Sequence, residues 1–347
     1  MLMRIYFLSS FLFISVIFSN TINSQEGLPI YTDYLTENYY LLHPSMAGVN
    51  LEGIKIRATS RKNWLDQAEA PNLQTFSIDS RLSNRSGAGL ILFKDQNGYN
   101  SHTGVTLTYA HHINYNSRDS RMARPDLSNF GNINQLSFGL SVGGVQNSHD
   151  QSSFDPNGFD QDPLLTRLNE SSGYLNMDVG MSYVNLNYFA HLTVKNLLFF
   201  PEEIYGDVAY DFSDDHFSFM KYVASFGYLF FTEGRFSFEP SLLFHGYKLS
   251  GEKSMDYNIK AYYDLNYGYL WAGLSYRNSF GGAQYRVGDS IKKQNYSLLT
   301  PIFGIAYRDF IFSYNYSYQS GKISFGKGGF HQITLGYNVN VFNYVFN

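Results

Sequence analysis

Asp155, Asp160 and Asp162, with Asn157 between them, put three carboxylates and an amide in one short stretch, the donor set of a calcium loop. The spacing does not follow that motif, because Gly158 comes fourth rather than sixth and no glutamate stands twelfth. A solvated acidic loop is the expectation over Asp155–Asp162. His111 and His112 are the only adjacent histidine pair, yet neighbours on a strand point to opposite faces and cannot ligate one ion together. They are expected at an interface or a loop edge. Serine, histidine and acid are all present, but no spacing aligns a nucleophile with its base, so no catalytic residues are assigned. Gly326, Gly328 and Gly329 sit where a hairpin tip needs them and form no phosphate loop. The expectation is no enzyme, no cofactor and no resident metal.

The remaining polar chemistry lies in Lys55, Arg57, Asp79, Arg81, Asp178, Arg235, Glu239, Asp256 and Lys260, which alternate with apolar residues. Such alternation needs strands. Phe310, Phe312, Tyr314, Tyr316 and Tyr318 fall on every second position, with Ile311, Ser313, Asn315 and Ser317 between them. In a strand this gives one aromatic face and one mostly small, polar face, whereas a helix would scatter the same rings around its circumference. The pattern recurs with no helical stretch between repeats: Phe76 and Ile78 oppose Ser77 and Asp79; Leu136, Phe138 and Leu140 oppose Ser137, Gly139 and Ser141; Ile333, Leu335 and Tyr337 oppose Thr334 and Gly336. About fourteen such segments can be counted, which predicts an all-β transmembrane antiparallel β-barrel with lipid outside and polar groups in the lumen. Mixed charges facing lipid would cost roughly 2–4 kcal/mol for each Arg or Lys at the midplane. Facing inward, they either pair across the bore or line a channel.

Composition agrees. Aromatics reach 18%, from 30 Tyr and 30 Phe against 2 Trp, an excess suited to two interfacial girdles. Charged residues are 16%, below the roughly 25% of soluble domains. A net charge of −4 gives no nucleic-acid signal, and the absence of cysteine removes disulfides and thiolate chemistry. Arg4 followed by the apolar run from Ile5 to Phe18 and by polar Ser19, Asn20 and Thr21 predicts a signal peptide over 1–24. Residues 25–49, ending in His43-Pro44-Ser45-Met46-Ala47-Gly48, are expected to form a plug or periplasmic segment, and 50–347 the barrel. With both termini in the periplasm, long outer loops alternate with short inner turns, except at Asn116–Asn132, which is long on the short side.

Several ordered motifs resemble the PorP/SprF family. Tyr31, Tyr39, Pro44, Ala47 and Gly48 match its N-terminal segment, and Arg61-Lys62-Asn63-Trp64, Ala70-Pro71 and Ser77-Ile78-Asp79 match the following run. Gly87-Ala88-Gly89 with Asp95 and Gly98 is similar to its glycine-rich third strand. Leu299-Thr300-Pro301, Ser313-Tyr314 and Gly329-Phe330-His331-Gln332-Ile333 resemble its final signature. His43, Ser45, Asn63 and Gln332 depart from the family's Asn, Ala, Gln and Glu. The resemblance implies an outer-membrane component of the type IX secretion system and gliding apparatus of Bacteroidota. It further implies a secreted surface protein, such as a gliding adhesin, held through its C-terminal region, and contact with other secretion components. Pro44, Gly48, Arg61, Trp64, Pro71 and His331 are the candidate partner-binding or family-motif residues. Trp64 serves equally well as a girdle residue and Arg61 as half of a rim ion pair. The competing expectation is a porin-like channel for small solutes.

Overall fold

A computed structural model describes residues 38–49, 53–63, 70–115, 134–150, 169–185, 187–197, 220–232, 234–248, 251–280, 284–287, 290–293, 295–321 and 329–339. The strands in chain order are β1 (Ile54–Asn63), β2 (Asn72–Ser83), β3 (Ser86–Asn97), β4 (Asn100–Asn114), β5 (Gln135–Asp150) and β6 (Asn169–Val184). Next come β7 (Tyr188–Lys195), β8 (Lys221–Tyr228), β9 (Phe230–Phe231), β10 (Phe236–Tyr247), β11 (Lys253–Leu265) and β12 (Gly268–Ser279). β13 (Gln284–Val287) and β14 (Ser290–Lys293) pair only with each other, and β15 (Tyr296–Tyr307), β16 (Phe310–Gly321) and β17 (Phe330–Val339) complete the set.

β8 and β9 are one stave: the Leu229 N–H donates to the Asn187 carbonyl as the next rung beyond Tyr188↔Tyr228, while on the other side pairing with β10 lapses around Pro240, from Gly227↔Ser241 to Phe230↔Phe238. The register is unchanged across the gap, so Leu229 falls on the inner face by alternation and clusters with Trp271 and Tyr262. Counted so, fourteen staves pair antiparallel in sequence order and close through β17 on β1, from Ile54↔Val339 to Asn63↔Phe330. An even number is what lets the first and last staves meet antiparallel. Closure leaves no free edge, so every stave finds main-chain partners without water, as a lipid-embedded sheet requires. Proline is tolerated where pairing lapses: the β15–β16 ladder skips from Leu299 to Ile302 around Pro301.

The two faces sort as the alternation demands. Leu107, Phe238, Ile259, Phe303, Phe310 and Leu335 are 40–66% exposed on the outside. Arg57, Asp79, Asp178, Glu239, Asp256 and Lys260 are 1–8% exposed on the inside. Cross-strand rings pack on the outer wall, Phe310 against Tyr337 at 4.8 Å and Phe303 against Tyr314 at 6.1 Å between centroids. One charge departs from expectation. Arg235 immediately precedes β10 and is exposed, although its carbonyl still accepts from the Asp264 N–H as the next rung beyond Phe236↔Tyr263; it stands at the end of its stave, where the bore opens.

One end carries the tight connections Asn84-Arg85, Asn266-Tyr267 and Arg308-Asp309, the opposite end most of the longer ones. β3 and β4 are an exception, joined at the long-loop end by Gly98-Tyr99 alone, with Gly98 at φ +58°. The ends of the 116–133 connection are drawn together by a hydrogen bond from Tyr115 N–H to the Asn134 carbonyl. The expected signal peptide, the acidic stretch Asp155–Asp162 and Trp64 lie outside the described residues.

Candidate functional site

Residues 38–49 lie inside the ring, and every one of them is buried. Two short 3-10 turns, Tyr39–Leu41 and Pro44–Met46, shape the segment. Pro44 opens the second, where its missing N–H costs nothing and its fixed φ suits the turn. Gly48, at φ +65°, reverses the chain, and a Cβ there would stand 2.5 Å from the Ser80 carbonyl oxygen. Only glycine satisfies both demands.

The segment closes six main-chain hydrogen bonds on itself, and main-chain groups that these leave over are met by the wall. The Gly48 N–H donates to Asp79 Oδ2 at 2.9 Å, and the Gly48 carbonyl accepts from Arg81 at 2.9 Å. The Ala47 carbonyl accepts from His112 Nε2 at 3.0 Å, and the Leu41 carbonyl from Lys195 Nζ at 3.1 Å. Bonding to a carbonyl makes Nε2 the protonated nitrogen of His112, which leaves Nδ1 to accept from Gln135 at 3.0 Å. His112 is therefore a deeply buried wall residue rather than an interface or loop-edge one, whereas His111 faces outward. The alternation separates the two rings as expected. What the sequence concealed is that the inner one has a carbonyl to hold.

Side chains add to the seam. Tyr40 donates to Thr108 at 2.8 Å, Asn38 to Ser77 at 3.0 Å and Tyr39 to Glu239 at 3.2 Å. His43, fully buried, bridges Thr193 at 2.9 Å and Ser225 at 3.3 Å and lies 4.7 Å from the His191 ring. Close approach is made possible by glycines on the inner face. A Cβ on Gly139 would overlap the main chain of Pro44 and Ser45, one on Gly87 the Ala47 carbonyl, and one on Gly89 the Tyr40 ring. The glycine-rich third strand thus has a steric reason.

The far wall is filled differently. Arg277 grips Asp256 with two bonds of 2.6 Å, and His245 lies 3.5 Å from the same carboxylate. Lys260 sits 4.0 Å from Glu239, and Tyr262 donates to that carboxylate at 3.0 Å. Trp271, Tyr269, Tyr262 and Leu229 form an apolar cluster beside them.

The five described candidate residues fall in two places, Pro44 and Gly48 inside the ring and Arg61, Pro71 and His331 together at the β17–β1–β2 end. Pro44 and Gly48 share the inserted segment. Arg61 lies near the end of β1 with its guanidinium 4.7 Å from the Phe330 ring centroid. The Pro71 carbonyl accepts from Asn63 N–H at 2.9 Å where β1 and β2 part. His331 is on the outer face of β17, 2.8 Å from the Tyr314 hydroxyl and flanked by Tyr316. Sequence reasoning missed Gly139, Gly180, Thr193 and Lys195. Glycines recurring on the polar face of strands were the available signal.

A closed antiparallel barrel with an apolar outer wall and a polar bore is an outer-membrane β-barrel. The family model "Type IX secretion system membrane protein PorP/SprF" matches residues 23–337, and the chain belongs to that family, which is not one of enzymes. Solved structures with the same general architecture include the CymD monoaromatic hydrocarbon channel, at 12% identity and TM-score 0.45 over 88% of this chain and 94% of that one. A Pseudomonas aeruginosa FadL homologue is similar at 10% identity and TM-score 0.39, over 82% and 89%. Salmonella typhi OmpF in complex with daunomycin follows at 9% identity and TM-score 0.34, over 84% and 98%. No curated protein matches the chain.

Proposed function

We propose that this barrel supports the export and surface attachment of one particular secreted protein, such as a gliding adhesin. It would hold that protein's C-terminal region through its outer loops or its bore, while the periplasmic end meets other secretion components. The observation that carries this reading is the way the inner wall treats residues 38–49. Asp79, Arg81, His112 and Lys195 hold main-chain atoms of an inserted polypeptide rather than lining an open path. On this reading 1–24 is a removable signal peptide, 25–49 a plug and 50–347 the barrel. Arg61, Trp64, Pro71 and His331 are proposed as partner contacts at the long-loop end.

Crosslinking in the native cell followed by pull-down tests it. A secreted surface protein and secretion components should be recovered with the wild type, and their absence would overturn the proposal. Planar-bilayer conductance supplies the contrast with the porin reading: the wild-type protein should be silent, and stable channel openings would favour solute transport.

A further inference from the structure

We propose that the outer wall across β1–β6 binds one phosphorylated membrane lipid, with its acyl chains in an apolar groove and its phosphate at Lys94. A convex barrel wall ordinarily offers lipid no pocket, yet here a concavity of about 1180 Å³ runs over six neighbouring strands and the edge of β17. Its position outside the barrel follows from register. Leu335, Ala58, Phe76, Leu92 and Val105 are successive cross-strand partners, all on the exposed face, and Leu175 continues the row beyond Gly144. Small residues give the groove depth. Ala58 interrupts the row of large side chains, and a Cβ on Gly144 would meet nothing within 4 Å.

The next outward position toward the long-loop end is polar on successive strands: Gln74, Lys94, Thr103 and Gln146. Lys94 is exposed, and no described residue forms a hydrogen bond or ion pair with it. A cation on a lipid-facing wall is unfavourable unless an anion meets it, and a phosphate supplies a charge-assisted hydrogen bond. Mostly apolar lining beside one cation is the complement of hydrocarbon joined to a phosphate. The volume also exceeds the roughly 300–1,000 Å³ of ordinary small-molecule sites, as extended acyl chains need. The inference is independent of which secreted protein the barrel serves.

Native mass spectrometry of the full-length barrel, purified in mild detergent, tests it. Phosphatidylglycerol is titrated in parallel with diacylglycerol of the same chains. The wild type should bind one phosphatidylglycerol at least tenfold more tightly than diacylglycerol. Lys94→Glu should erase that preference. Gly144→Phe, which fills the groove from an open position, should weaken both lipids about tenfold while heat-modifiable gel mobility shows a folded barrel. Equal affinity for the two lipids in the wild type, or binding unchanged in both variants, overturns the proposal. So does a photocrosslinker at Leu92 that captures a protein instead of lipid in the native membrane.

Discussion

Two walls of the same bore solve the problem of a polar interior in opposite ways. From β2 to β8 glycines, serines and threonines on the inner face make room between longer polar side chains such as Asp79, His112 and Lys195, and the wall is completed by residues 38–49. From β10 to β12 the inner face is filled mainly by its own side chains, with Arg277 on Asp256, Lys260 near Glu239, and Trp271 against Gly304, and Tyr39 of the segment reaches it at Glu239. The first wall meets main-chain groups of the inserted segment as well as its side chains. The second recognises its own side chains and is specific to this barrel.

Breaking the self-filled wall should have the largest effect. Arg277→Met leaves Asp256 buried without its guanidinium, at a cost of about 3–5 kcal/mol, read as a fall in the detergent unfolding midpoint. Adding Asp256→Leu should recover much of the loss, because the stranded charge goes with it. If the single variant unfolds like the wild type, the pair does not hold that wall.

The recognising wall should fail by steric means. Gly139→Leu drives a side chain into Pro44 and Ser45 and should cost about 1–3 kcal/mol if the segment stays, or displace it if it does not. The chain has no cysteine, so Ser45→Cys gives a clean probe. Maleimide should label it in the Gly139→Leu background and spare it otherwise. Gly144→Leu, five residues along but facing outward into open space, should leave Ser45→Cys protected. Labelling in neither background would mean that the glycine groove does not govern insertion.

A smaller change sharpens the contrast. Tyr40→Phe removes one bond to Thr108, which keeps its bond to Ser141 at 2.7 Å, so a loss of about 0.5–1.5 kcal/mol is expected. The smallest effect belongs to His331→Phe. On the outer wall it gives up the Tyr314 bond but keeps its ring packing, and the midpoint should shift by no more than about 0.5 kcal/mol. A large loss of cargo recovery from that variant with unchanged stability would instead place His331 at a partner contact.

How much of this was legible follows from range. Whether a side chain such as Phe312 or Ser313 faces out or in is settled by its neighbours one residue away, so alternation gave the faces, the number of staves and the lumen charges. Arg235 escaped because it stands at the end of its stave, where the bore opens to solvent. The candidate site was legible only in part. Pro44 and Gly48 announced an irregular segment, but nothing near them in the chain names Asp79, Thr108, Thr193 or Glu239 as partners.

The sequence by itself determined a closed, lipid-facing, antiparallel sheet and the family to which it belongs, because period-two patterning is a local property repeated along the chain. Only the tertiary structure decided that residues 38–49 lie within the ring, that His112 and Lys195 hold their carbonyls, and that Gly139 is the position where they touch. Those contacts join residues up to 200 positions apart, and they are fixed by register and closure around the whole barrel rather than by any stretch of it.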